Sequence, residues 1–391
     1  MNRASQRTVP VPVITLLGLA TLAAAMGIGR FAFTPLLPLM QQHDGITLAQ
    51  GAWLATANYV GYLVGALATF SAMPSASSSM RAGLIAVAAS TAAMAVGQSI
   101  WAWMLLRFVA GVASAFVLVG VSAWALGALA TAGRYDLSGW VFSGVGLGIV
   151  FAGLVTLVTA SSGMPPAVAW LALGGSAFLV VLAGWGPWTE SALPLANAAP
   201  NRDLCLGLSE WVLIVCYGGF GFGYIIPATF IPAIARSLID NALVFGWAWP
   251  FFGVAGAVST VLVVRHFRSA APRTVAVWGM VVMAIGVIMP ALAPSMTSIA
   301  ASALCVGGTF MVVTMAGFQE ARRISSGPPA RLIAAMTAAF ALGQLSGPTL
   351  VGMGSAARDA VLAPSVLATL VLLVCAATLA LGPGRVPKQA T

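Results

Sequence analysis

The stretch Gly27-Ile28-Gly29-Arg30-Phe31-Ala32-Phe33-Thr34-Pro35-Leu36-Leu37-Pro38 is echoed 194 residues later by Gly221-Phe222-Gly223-Tyr224 running on to Pro232. Both copies lie inside long apolar segments, and the same offset pairs Trp53 with Trp247. Glycine and proline interrupt helices and free backbone groups. Such interruptions at matching positions of two halves mark a duplicated membrane protein whose broken spans face a substrate cavity. Where the first copy carries Arg30, the second carries Tyr224.

The composition bounds the class. Of 391 residues, 60% are hydrophobic and only 6% charged, with a mean hydropathy of +1.00. Soluble domains carry roughly 25% charged residues, so a soluble protein is excluded. The net charge of +9 comes from arginines scattered singly between apolar runs, which gives no patch for nucleic acid. Cys205, Cys216, Cys305 and Cys375 show no paired short spacing, so neither a disulfide framework nor a zinc site is expected, and they read as packing residues. Arg3 and Arg7 before an apolar run imitate a signal peptide, but the run continues to Met40. That is longer than the roughly 7 to 15 residues of a signal core, and a first transmembrane helix explains it better.

A bilayer core about 30 Å thick needs about 20 mainly apolar residues per helix. Twelve such spans are expected near 11–40, 51–73, 82–98, 101–129, 139–160, 167–186, 210–235, 244–265, 274–293, 296–319, 332–354 and 361–382. They are too long and too uniformly apolar for barrel strands, so the fold class is an all-α membrane protein. With the N-terminus inside, thirteen of the seventeen basic residues fall in cytoplasmic segments and only Arg236 and Arg358 outside. That asymmetry places both termini in the cytoplasm. Residues 187–209, rich in proline, alanine and asparagine, read as a linker between six-helix bundles at 1–186 and 210–391.

The runs GIGRFAFTPLLPLMQ at 27–41, GAWLATANYVGYLVGAL at 51–67 and GFGYIIPATFIPAIAR at 221–236 resemble the YbfB/YjiJ-like branch of the major facilitator superfamily. The likeness extends over essentially the whole chain. It implies two pseudo-symmetric six-helix bundles around a central cavity opened alternately to either side, with spans one, four, seven and ten lining much of it. One departure stands out. The superfamily's usual loop between spans two and three carries an acid, a glycine and paired basics, but here ATFSAMPSASSSMR offers only Arg81. The glycine-rich fifth span, with Gly144 and Gly148, and GQLSGP in the eleventh, with Gly343 and Gly347, resemble the superfamily's helix-packing motif. Small residues at such spacing let backbones approach closely. Together with Gly27, Gly29, Pro38, Gly221, Gly223 and Pro232 they are expected to act as hinges and packing surfaces.

Two arginines lie within spans. At 1.5 Å per residue Arg30 sits about 22 Å beyond Thr15, and Arg107 about 9 Å below the opposite boundary, so their depths roughly agree. A buried arginine costs several kcal/mol in lipid and needs a cavity or a partner. No carboxylate sits at mid-span to pair with either. Arg30 is expected to bind substrate and Arg107 to shape the same cavity or to bond backbone carbonyls. Thr34, four residues beyond Arg30, shares its helix face. Asn58 with Tyr62, and Tyr217 with Tyr224, share faces of spans two and seven, and Gln344 joins them as a candidate. Glu210 and Glu320 at span ends, and His43 with Asp44 in an outer loop, read as solvated or interfacial charges.

Cationic side chains without intramembrane acids favour a negatively charged ligand, and a secondary transporter of a small organic anion is expected. An exporter of lipophilic compounds, walled by the many tryptophans and phenylalanines, is the alternative. An enzyme is disfavoured: there is no HExxH, no aspartate pair and no phosphate-cradling GxxxxGK, which also removes a nucleotide-driven pump. The expected partners are a small-molecule substrate, a coupling ion and membrane lipid. No cofactor or metal is expected. A monomer in a bacterial inner membrane completes the expectation.

Overall fold

The computed structural model describes residues 9–71, 74–97, 99–188, 206–238, 246–325, 327–351 and 359–382, with the side chains of Leu48, 228–238, 347–351 and 359–361 outside the description. Pro232 and Gly347 are described only as helix backbone, so their expected roles lie outside the description, as does most of the expected linker. Along the chain run α1 (Val11–Leu22), α2 (Phe33–His43), α3 (Leu48–Ser71), α4 (Ala76–Ala93), α5 (Ile100–Thr131), α6 (Ser138–Ser161) and α7 (Pro166–Gly184). They are followed by α8 (Leu208–Leu238), α9 (Ala248–His266), α10 (Pro272–Leu292), α11 (Met296–Ile324), α12 (Pro329–Val351) and α13 (Asp359–Leu381). Among the described residues nine helical stretches are long and apolar enough to cross a membrane, the first being the run Val11–His43 that contains α1 and α2. In lipid every backbone polar group must be paired internally, and helices do this within one segment. Helices α3, α4 and α12 fall outside those nine. Four of their polar residues, Asn58, Ser77, Ser79 and Gln344, are buried against other parts of the protein.

The helices before and after residues 189–205 pack by the same scheme. In the first group α3 and α4 both pack on α5, α4 on α7, and α1 on α5 and α6. In the second, α9 and α10 both pack on α11, α10 on α13, and α8 on α11 and α12. Between the groups α6 runs along α9 and α3 along α12. Trp53, Trp101, Trp140, Trp185, Trp211 and Trp247 lie near helix ends and are about half or more exposed, which suits amphipathic rings at a membrane interface.

Close backbone approach explains the glycines. A Cβ added at Gly144 would collide with the Leu19 carbonyl, and one at Gly148 with the Ala23 carbonyl, so α6 can lie against α1 only with glycine there. Gly27 meets the Gly148 backbone from the other side. In the second group Gly221 meets the Phe340 carbonyl and Gly343 the Gly218 carbonyl, joining α8 to α12. Gly223 packs against Leu372 of α13.

Three expectations are corrected. The second copy of the repeat is not interrupted: α8 continues as helix through Gly221 and Gly223, because these glycines make room for α12 and α13 and open no backbone groups. The stretch between spans two and three is shorter than expected, since Ser75 caps α4 by accepting a 3.1 Å bond from the Ser78 amide and starts the helix at Ala76. Arg81 is therefore helical. It donates to the carbonyls of Trp185 and Trp188 at 2.6 and 3.0 Å, holding the end of α7. Arg273 does the same in the second group by donating to the Leu379 carbonyl of α13. Finally, Glu210 and Glu320 are not solvated but buried: Glu210 accepts from the Gly207 amide at 2.7 Å and Glu320 pairs with Arg323 at 3.2 Å.

Candidate functional site

The first copy of the repeat is broken where the sequence indicates. After α1 the backbone widens into a π-helical turn, Ala23–Ile28, and Gly29 donates five residues back to Ala24. Turn residues 29–32 then lead into α2. Single π turns inside helices often accompany functional sites. Pro35 has no N–H for the Phe31 carbonyl, and no backbone N–H among the described residues reaches the carbonyls of Gly29 and Arg30, which are left for another donor. Arg107 of α5 supplies it, with Nη1 donating to the Gly29 carbonyl and Nη2 to the Arg30 carbonyl, both at 3.0 Å. Asn58 of α3 then donates to the Arg107 carbonyl at 2.9 Å. Three helices are thus tied at the break, and the two arginines meet at one depth.

Arg30 itself is only 4% exposed. Its Nη2 donates to Oε1 of Gln344, fully buried on α12, at 2.6 Å. This bond joins residues 314 positions apart, one from each group of helices. The guanidinium carbon lies 3.7 Å from the centre of the Tyr62 ring, with Phe31 and Tyr59 at 5.7 and 6.0 Å. A desolvated cation–π contact of that kind is worth on the order of 2 kcal/mol. Neither Arg30 nor Arg107 has an ion pair among the described residues. Nε and Nη1 of Arg30, Nε2 of Gln344 and the Tyr224 hydroxyl are buried without hydrogen-bond partners.

Around this polar centre stands a wall of rings. Tyr224 stacks on Phe310 with centroids 5.5 Å apart and lies 6.1 Å from Phe340. Phe310 meets Phe31 edge-on at 6.1 Å, and Phe31 lies 6.5 Å from Trp249. Tyr217 is packed among Phe220, Phe318 and Phe340. Of the sequence candidates, the structure thus brings Arg30, Tyr62, Arg107, Asn58 and Gln344 together and puts Tyr217 and Tyr224 in the adjoining aromatic wall. Thr34 stays apart: it is half-buried on α2 and forms no hydrogen bond to the Arg30 group, because the turn at 29–32 separates them. Tyr59, Phe31, Phe310, Phe340 and Trp249 escaped the sequence reading. Aromatics in an apolar chain look alike until packing sorts lipid-facing rings from inward ones.

The same fold occurs in a solved structure. The crystal structure of the human organic anion transporter MFSD10 (TETRAN) aligns over 95% of this chain and 100% of that one, with a TM-score of 0.71 and 14% identity. The protein therefore has the fold of that helical transporter, with a buried cationic centre at a broken first helix. By sequence, residues 22–380 match the family described as the uncharacterised MFS-type transporter YbfB, and the chain belongs to that family. No curated protein matches it by sequence.

Proposed function

We propose that the protein is a secondary active transporter that carries a small organic anion by alternating access. One observation carries this proposal: Arg30 is buried, has no carboxylate partner among the described residues, and presents two nitrogens with unused N–H groups. An unsatisfied buried polar group costs roughly 1 to 3 kcal/mol, more when charged, and an anion would recover that cost. That the solved structure sharing the fold is titled an organic anion transporter accords with this. Bundles at 1–186 and 210–391 would together make up the twelve-span arrangement and rock about the Arg30 centre, with 187–209 as the cytoplasmic linker. The protein would work as a monomer in a bacterial inner membrane with both termini in the cytoplasm.

Arg107 acts here by shaping: its fork is spent on the carbonyls of the break, so it fixes the place of Arg30. Lysine keeps a charge but loses the planar fork that grips a carboxylate twice. In reconstituted vesicles Arg30→Lys should therefore weaken uptake of labelled anions, and Arg30→Ala should nearly abolish it with the protein still inserted. Full activity of Arg30→Ala would remove Arg30 from the substrate site. The aromatic wall favours a second possibility, export of lipophilic compounds. Efflux of uncharged dyes that survives Arg30→Ala would support that alternative.

A further inference from the structure

The donors left open at the site, and the rings of its walls, narrow the class of anion. This step rests on the proposal that Arg30 holds the substrate. Two buried arginines would suit a dianion if both were available, but both Nη atoms of Arg107 already donate to the Gly29 and Arg30 carbonyls. Arg107 keeps its charge but only Nε without a partner, whereas Arg30 keeps both Nε and Nη1, the pair of donors that one carboxylate can grip; among the described residues the centre thus offers one such fork, which matches one carboxylate. Its Nη2 donates to a neutral acceptor, Oε1 of Gln344. That amide oxygen occupies a place a carboxylate oxygen would take, and Nε2 of the same amide is buried without a partner. A carboxylate that displaced Oε1 could accept from Arg30 and from that Nε2 together. Beyond the carboxylate the surroundings are rings: Tyr62 under the guanidinium, Phe31 beside it, then Phe310 with Tyr224 stacked on it. The several hydroxyls of a sugar acid would lose water there, with only the Tyr224 hydroxyl and Trp249 Nε1 as unpartnered groups of the wall, among the described residues, offered in return.

We infer that the site takes an aromatic monocarboxylate, whose carboxylate displaces the Gln344 amide oxygen from Arg30 while its ring lies among Phe31, Tyr62, Tyr224 and Phe310. Binding of benzoate, acetate, terephthalate and benzamide to the purified full-length protein, followed by calorimetry, tests it. Benzoate should bind at least about tenfold more tightly than acetate, since burying a ring is worth more than the 1.4 kcal/mol of one decade. Terephthalate should bind no better than benzoate, and benzamide should not bind. Acetate equal to benzoate, or terephthalate clearly tighter, would overturn the inference and leave the anion proposal standing. Benzamide equal to benzoate would overturn both. If benzoate does not bind while vesicles take up another anion, the inference fails and transport of anions stands.

The displacement step has its own test. Gln344→Glu supplies Arg30 with an internal carboxylate, so benzoate affinity at pH 7.5 should fall by at least about tenfold, the scale of one charged hydrogen bond, in a protein that elutes as a single species. Gln344→Ala removes both the competing oxygen and the Nε2 donor but adds no charge, so its benzoate affinity should stay above that of Gln344→Glu, and an equal loss in the two variants would overturn the displacement step. Unchanged benzoate affinity in Gln344→Glu would show that the carboxylate does not take the place of the Gln344 oxygen.

Discussion

Arg107 shows how a membrane interior treats a charge without a counter-ion. Its guanidinium is 3% exposed, and the acceptors it finds are the two carbonyls that the broken first span cannot bond internally. The break and the arginine therefore stabilise each other: each would leave a buried polar group unpaired without the other. Hydrogen bonds to charged groups contribute roughly 1.5 to 3 kcal/mol each. Lysine brings a charge but no rigid fork to span two adjacent carbonyls. Arg107→Lys should accordingly lower the thermal unfolding midpoint by several degrees and lower apparent substrate affinity through misplacement of Arg30. An unfolding midpoint and transport both equal to the parent would show that the clasp does not matter. Arg30, stacked on Tyr62 and bonded to Gln344, leaves both Nε and Nη1 without partners, where Arg107 leaves only Nε.

At the scale of the elements, the two copies of the repeat have separated in structure. The first has a π turn and a break, the second a continuous helix, although both carry paired glycines and a later proline. The difference lies in the partners. Around Gly27 and Gly29 the freed carbonyls meet a guanidinium, whereas Gly221 and Gly223 serve close contact with α12 and α13. The α1–α6 contact depends on the absence of side chains at Gly144 and Gly148. Gly148→Leu would drive a branched side chain into the Ala23 carbonyl, where backbone and not a flexible side chain must yield. Overpacking of this kind typically costs about 1 to 3 kcal/mol. The variant should be less stable in detergent, and if inserted should lose transport more than Gly175→Leu, whose site is open. Equal behaviour of the two variants would contradict a packing role for Gly148.

For the molecule as a whole, contacts between the two helix groups are most polar toward the expected cytoplasmic side. Gln319 of α11 donates to the Ser138 hydroxyl of α6 at 2.8 Å, and Arg322 reaches the Ser122 carbonyl of α5 at 3.5 Å. Asp136 is held by Arg134 at 2.9 Å and lies 3.9 Å from Arg268 beyond α9. Arg331 stands over Phe70 at 5.7 Å, joining α12 to α3. These residues belong to the basic segments whose asymmetry sets the expected orientation. Reporter fusions after Arg202 and Lys388 should therefore read cytoplasmic, and a fusion after Asp240 external. The reverse pattern would invert the protein and place this polar closure on the outer face.

Hydropathy alone made this chain a helical membrane protein, because no other structure can satisfy its backbone in lipid. Its charge distribution set the expected orientation, and the echo of Gly27–Pro38 in Gly221–Pro232 pointed to the region where Arg30 lies. Arg30, Arg107, Asn58, Tyr62 and Gln344 were legible one by one, since polar groups are rare and expensive in such spans. What they do to each other was not legible. Nothing in the spacing says that Arg107 would spend its fork on the carbonyls beside Arg30, or that the acceptor facing Arg30 would come from residue 344. Those outcomes depend on which helix faces meet, and in lipid that is settled by glycine contacts and by where freed carbonyls find donors. Hydrophobic periodicity carries little of this information, because nearly every face of these helices is apolar. Only the packed structure could separate the arginine whose two Nη atoms clasp the break from the one whose Nη1 and Nε stay open.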